Sequence, residues 1–317
     1  MRVVFMGTPD FAVPSLRVLL DSGVQVVAVV TQPDRPVGRK RIMTPTPVKI
    51  EAEKHGIPVL QPERLRRPEW VAELAALQPD LIVTTAYGQI LPKSVLELPK
   101  LGCINIHASL LPKYRGGAPI HHAVMNGDKV TGVTIMYMAE GLDTGDMISR
   151  VEVPIEDTDT TGSMFEKLSV AGAELLRGTL PELLAGRVTA VPQDDSQAVY
   201  SPNISREQER IHWDRPAEVI WNQVRGLNPR PGAYTLWNGE VLKVWACEKP
   251  RNGDMKAAIG EDLPEAGTVV ATGEQGIEVM TGSGLLKITS LQPAGKKAMA
   301  AAELVRGGQL TVGTVLG

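Results

Sequence analysis

"RVVFMGTPDFAVPSLRVLLDSGVQVVAVV" (residues 2–30) opens on a β-branched run, RVVFM at 2–6, and closes on another, VQVVAVV at 24–30. Between them, residues 10–22 space their apolar side chains as a helix does, and Asp10 after Thr8-Pro9 is the expected N-cap. Continuous apolar strands separated by helices indicate a mostly parallel sheet covered on both faces. The alternation continues: IPVL (57–60), DLIVTTA (80–86) and CINI (103–106) read as strands, and 46–55, 69–78 and 118–126 as helices. This pattern predicts a Rossmann-like, doubly wound α/β fold. GVTIMYM (132–138) and MISRVEV (147–153) alternate more, as a hairpin does, before a long helical stretch at 160–184.

At "VPQDDSQAVYSPNIS" (191–205) apolar residues thin out and no period survives, so a domain boundary is expected there, dividing the chain into 1–205 and 206–317. Beyond it, one short helix near 216–226 precedes five closely spaced runs, AYTLW, EVLKVWA, GTVVAT, GIEVMT and GLLKITSL. Short strands between glycines in a domain of this size suggest a small C-terminal OB-like β-barrel.

Composition narrows the function. The 317 residues exceed what one core usually serves, and 43% hydrophobic with 22% charged residues is ordinary globular usage. A net charge of -3 and a pI near 6.0 exclude a generally basic nucleic-acid binder, so any such contact must come from a local patch. Aromatic residues at 4% argue against a stacking platform for single strands. Cys103 and Cys247 lack paired spacing, and no metal site is expected. His121 and His122 are adjacent on a predicted helix and diverge by about 100°, so they cannot share an ion. Gly7 stands without a G-x-G-x-x-G, which disfavours a nicotinamide enzyme. The opening apolar run is too short for a signal peptide and no run approaches a membrane span, so a soluble cytoplasmic protein is expected.

The chemistry gathers in "CINIHASLLPKYRGGAP" (103–119). On a strand, Cys103, Asn105 and His107 share a face. Cys103 would lie roughly 13 Å from His107, too far for a nucleophile and its base, whereas Asn105 at roughly 6.6 Å can flank one small group with it. A carboxamide N–H and an imidazole N–H on either side of a carbonyl would stabilise the oxyanion formed on attack. The plainer reading is that both side chains only terminate the strand. Asp143 in "EGLDTGD" (140–146) offers an acid that could orient His107 and hold its proton.

Together, "NIHASLLPKYRGGAPI" and "GVTIMYMAEGLDTGDM" resemble the signature of the folate-dependent formyltransferases. The resemblance implies a catalytic trio of Asn105, His107 and Asp143. It further implies a 10-formyltetrahydrofolate site lined by Ser109, Leu110, Leu111 and Pro112 and, across the pocket, by Tyr87, Gln89, Ile90 and Leu91 of "AYGQILP" (86–92). "MGTPDFAVPSL", "TQPDRPVGRKRIMTPTPVK" (31–49), "LNPRPGAYT" and "LQPAGKKAM" resemble the branch that formylates methionyl-initiator tRNA, over nearly the full chain. The inserted segment 31–49 then implies a grip on the acceptor arm. Its Arg39, Lys40 and Arg41 are adjacent cations on a loop stiffened by four prolines, expected to project rather than fold back. Lys296, Lys297 and Arg306 surround a glycine-bounded turn and are expected to hold phosphate. A monomer is the family expectation. An amino-sugar nucleotide formyltransferase and a non-catalytic RNA-binding protein on the same scaffold remain the alternative readings.

Overall fold

The computed structural model describes residues 1–250 and 263–317, in two compact units. The first comprises Met1–Pro119, Val130–Pro154 and Phe165–Ser201; the second comprises Ile120–Lys129, Ile155–Met164 and the chain from Pro202 onward.

The first unit is built on seven strands: β1 (Arg2–Gly7), β2 (Gln25–Val30), β5 (Val59–Leu60), β6 (Leu81–Thr85), β7 (Cys103–His107), β8 (Val130–Tyr137) and β9 (Met147–Pro154). Their order is β5-β2-β1-β6-β7-β8-β9. The first five run parallel, and β8 and β9 add antiparallel to the β7 edge. Chain order reverses between β1 and β6, which is where an open α/β sheet splays its connections apart and leaves a crevice. A separate two-stranded ribbon, β3 (Arg35–Val37) and β4 (Ile42–Thr44), stands outside this sheet.

Both faces of the sheet are covered, which is why its strands read as unbroken apolar runs. On one face Val4, Met6, Ile82 and Cys103 pack with Leu74 of α3 (Pro68–Ala76) and Val95 of α4 (Lys93–Leu96). On the other, Ile106 and Val133 meet Gly172 of α6 (Thr161–Leu184), where a Cβ would come within 3.0 Å of Ile106. Helix α1 (Val13–Asp21) is joined to α2 (Pro47–Lys54) by Arg17, which donates twice to the buried Glu51 carboxylate. That pairing holds the Glu51 carboxyl at about 2. The expected capping role of Asp10 is not realised. Pro9 occupies the N-cap, and Asp10 sits inside a 3-10 turn, Asp10–Ala12, that leads into α1.

The second unit carries α8 (Ala217–Gly226) and an antiparallel sheet of β10 (Ala233–Trp237), β11 (Glu240–Cys247), β12 (Val269–Gly273), β13 (Gly276–Met280), β14 (Leu285–Pro293) and the short β15 (Met299–Ala300). Ile220, Trp221 and Val224 of α8 are buried in one core with Leu242, Val244, Val279, Ile288 and Leu291. His121 and His122 lie in this unit with separate partners, the carbonyls of Arg230 and Pro202. Among the described residues, no helix is long and apolar enough to cross a membrane, and no group of His, Cys, Asp and Glu could hold a metal ion.

Two outcomes follow from this packing. Gly172→Leu wedges a side chain between α6 and the sheet and destabilises the protein by about 1–3 kcal/mol. Gly178→Ala, on the same helix where a Cβ meets nothing within 4 Å, stabilises it by about 0.5–1 kcal/mol. Denaturant midpoints of the two variants report both signs. Cys103, buried beneath α4 with its sulfur 3.7 Å from the Val95 carbonyl, has its thiol pushed up to about 12 by burial. At pH 8 the folded protein therefore holds roughly one thiolate in 10⁴ at this position. Iodoacetamide should label Cys103 only after denaturation, and rapid native labelling would contradict the burial.

Candidate active site

Strand β7 presents its residues as the parity of the sequence requires. Register pairs Thr84 with Asn105 on the β6 side and Thr134 with His107 on the β8 side. Cys103 is buried under α4, Asn105 is half-buried, and His107 is buried at the carboxyl end of the strand. The Thr84 hydroxyl lies 2.9 Å from Asn105 Oδ1 and 3.0 Å from the Ile104 carbonyl, sharing its one proton between them. With Oδ1 held in this way, the amide N–H groups of Asn105 are left to donate outward.

His107 is fixed by the loop that follows it. Nε2 lies 2.9 Å from the Tyr114 carbonyl, which can only accept, so Nε2 carries the hydrogen. The other ring nitrogen, Nδ1, faces Asp143 Oδ2 at 3.7 Å, an electrostatic contact longer than a hydrogen bond. That carboxylate oxygen is itself anchored by the Gly116 N–H at 2.8 Å. Sequence spacing brought Asn105 and His107 together; the loop 138–146 adds the acid.

The residues expected to line the donor site lie in the loops after β6 and β7. Thr134 Oγ1 donates to the Ser109 carbonyl at 2.7 Å and accepts from Leu111 N–H at 3.2 Å, while Ser109 Oγ donates to the Lys113 carbonyl at 2.6 Å. Ser109 and Leu111 are buried, Leu110 is half-buried over Gly132, and Pro112 follows a cis peptide bond. On the other wall, the Tyr87 carbonyl accepts from Thr8 Oγ1 at 2.9 Å, which ties the loop to the end of β1. Tyr87 and Leu91 are buried, whereas Ile90 is 84% exposed. The Gln89 side chain is engaged within the fold: Nε2 donates to Pro62 O at 2.9 Å and Oε1 accepts from Leu65 N–H at 2.8 Å.

The segment bearing Arg39, Lys40 and Arg41 is projected as expected, but as a paired ribbon rather than a proline-stiffened loop. Pro36 and Val37 pair with Met43 and Ile42, so the segment is the β3–β4 hairpin with the three cations exposed in its turn. Gly38 (φ 72°) and Arg41 (φ 47°) take the left-handed conformation that this reversal requires, and Arg41 N–H closes it on the Gly38 carbonyl. Val37, Ile42 and Met43 are exposed on the same ribbon. At its base, Asp34 accepts from Lys49 Nζ at 2.9 Å and Gln61 Nε2 at 2.6 Å. Asp34, Lys49 and Gln61 carried no signal in the sequence, being three scattered polar residues on separate elements. In the second unit, Lys296 and Lys297 are exposed in the turn after β14, and Arg306 is exposed in the last turn of α9 (Ala301–Arg306).

Residues 1–180 match the family model of the formyl transferases, and residues 203–309 match that of the formyl transferase C-terminal domain. The chain is 59% identical to the methionyl-tRNA formyltransferase of Bacillus velezensis, with 100% of this chain and 98% of the relative aligned. It is 58% identical, at the same coverage, to the enzyme of that name from Geobacillus thermodenitrificans. Among solved structures, the N-formyltransferase of Helicobacter canadensis in complex with folinic acid and dTDP-3-aminofucose superposes with a TM-score of 0.66. It is 18% identical, with 90% of this chain and 97% of that one covered, a likeness of fold. On identity of this extent across both matched regions, the chain belongs to the methionyl-tRNA formyltransferases of the formyl transferase family.

Proposed function

We propose that the chain transfers the formyl group of 10-formyltetrahydrofolate to the α-amino nitrogen of methionine esterified to initiator tRNA, giving N-formylmethionyl-tRNA for translation initiation. The observation that carries this reading is that Asn105 and His107 lie two residues apart on β7, with Asp143 Oδ2 3.7 Å from the His107 ring, in a chain of this family.

The residues divide the work as follows. The neutral amine attacks the formyl carbon, and charge builds on the formyl oxygen. Asn105 donates to it through Nδ2, since Oδ1 is held by Thr84. His107 enters the reaction as the imidazolium, with Nε2–H committed to the Tyr114 carbonyl and Nδ1–H donating to the formyl oxygen. Asp143, on the same edge of the ring, takes the proton the amine loses, directly or through water. Nδ1–H then protonates the departing folate nitrogen, and Asp143 returns a proton to the ring, so no net proton is consumed. No covalent enzyme adduct is required. Ser109, Leu110, Leu111 and Pro112 line the donor site opposite Tyr87, Ile90 and Leu91, while Gln89 braces that wall from within.

The hairpin supplies the acceptor contact. Arg39, Lys40 and Arg41 at its tip bind phosphate of the acceptor arm, and the exposed Val37, Ile42 and Met43 pack against its terminal base pair. Division of the chain at about residue 205, with residues 120–129 and 155–164 joining the second unit, separates a catalytic domain from a tRNA-binding domain. The antiparallel order β10-β11-β14-β13-β12, with bulges in β11 and β12, supports an OB-like barrel for the second, whose Lys296, Lys297 and Arg306 meet tRNA phosphates. Two free cysteines support a reducing, cytoplasmic setting, and a monomer suffices for the reaction.

Labelled formyl donor offered with methionyl-tRNA, with an amino-sugar nucleotide, and with no acceptor tests the assignment. Label should pass only to methionyl-tRNA, and transfer to the sugar would overturn it. Asn105→Ala lowers kcat by about 10²–10³ with tRNA affinity little changed; near-normal turnover ends the oxyanion role. Arg39→Ala raises the KM for tRNA and leaves folate binding alone, so an unmoved tRNA KM would remove the hairpin from acceptor recognition.

A further inference from the structure

Two pieces of sequence are not explained by the trio and its walls: Arg115 in "RGG" and the polar segment that begins at Val191. In the structure they are one device. Val191 and Met147 exchange both backbone hydrogen bonds at 2.8 Å. Arg115 N–H donates to the Val199 carbonyl at 2.8 Å, and Ser201 N–H donates to the Arg115 carbonyl at 2.7 Å. Residues 191–201 thus run as a strap across the loop that follows His107 and the loop that carries Asp143.

The side chains on this strap are specific. Gln193 Nε2 donates to the Asp143 and Gly145 carbonyls, both at 2.8 Å, so one carboxamide holds the backbone of the acid's own loop at two points. Its Oε1 accepts from Arg115 Nε at 3.0 Å and Nη2 at 2.9 Å. Arg115 is only 2% exposed, among the largest fully buried side chains, and Nη2 also donates to Asp195 Oδ1 at 2.6 Å. Asp143 sits at φ 51°, a left-handed conformation that a non-glycine residue keeps only when its surroundings over-determine it. A carboxamide alone among side chains can accept a guanidinium fork and donate twice at the same time.

We propose that Arg115 and Gln193 are positioning residues for formyl transfer, holding Asp143 in its strained turn so that the carboxylate stays beside His107 Nδ1. This rests on the role given above to Asp143. The plain alternative is that the strap only adds stability, and the two separate by kinetics. Misplacing a reacting group by about 1 Å can cost about 10²-fold in rate. In the full-length protein, Gln193→Ala should therefore lower kcat about 10- to 100-fold while the KM values for tRNA and folate stay within about twofold. Gln193→Glu, which can still accept from Arg115 but sets a carboxylate against two carbonyls, should not rescue the loss. Arg115→Lys, which keeps the charge and loses the fork, should show the same kcat-only defect.

In the Asp143→Asn background, Gln193→Ala should cost less than about threefold more, because the group it places is already gone. Wild-type kcat in Gln193→Ala beside a crippled Asp143→Asn overturns the strap alone. A fully additive loss in the double variant does the same. Near-normal turnover of Asp143→Asn removes the acid from the reaction, and the strap's purpose with it.

Discussion

The hydrogen bond from the Gly116 N–H to Asp143 Oδ2 joins two loops that leave the sheet at opposite ends. Strand β8 runs antiparallel to β7, with Ile104 opposite Tyr137 and His107 opposite Thr134. The segment after Tyr137 therefore starts at the beginning of β7, and must fold back along the strand before its acid can reach His107. Without a fixed attachment there, Asn105 and His107 would stand at the end of β7 with no acid beside them.

The backbone around that attachment is unusual in a consistent way. Tyr114 (φ 64°), Asp143 (φ 51°) and Ala86 (φ 47°) all occupy left-handed conformations outside glycine. Gly116 (φ 118°) adds a position where a Cβ would lie 2.8 Å from the Ser201 carbonyl. Such residues are each unfavourable by roughly 1–3 kcal/mol and persist only inside a firmly bonded frame. The frame is visible: Thr134 fixes Ser109 and Leu111, Tyr114 fixes the imidazole, and the 191–201 strap closes over Arg115. Local strain is offset by buried hydrogen bonds, and the return is a set of polar groups already aimed before substrate arrives.

Charge is distributed on the same principle of local concentration. The chain as a whole carries -3, yet three consecutive cations occupy one four-residue turn, supported below by the Asp34, Lys49 and Gln61 cluster. For a polyanionic acceptor this arrangement attracts at one place without making the whole surface adhesive.

Much of this was legible in one dimension. Unbroken runs such as RVVFM and LIVTT read as strands buried on both faces, and the two-residue strand period puts Cys103, Asn105 and His107 on one side. Hairpin β3–β4 was obscured by its prolines, which read as stiffness although Pro36 tolerates an edge position. The strap was the deeper omission. Residues 191–201 have no period and few apolar side chains, because their bonds run to backbone carbonyls brought near only by folding. Periodicity is a property of neighbours along the chain, and so sequence determined which elements form and that Asn105 and His107 share a face. Gln193 reaches Asp143 across 50 residues and Arg115 across 78, and only tertiary packing decided where Asp143 stands.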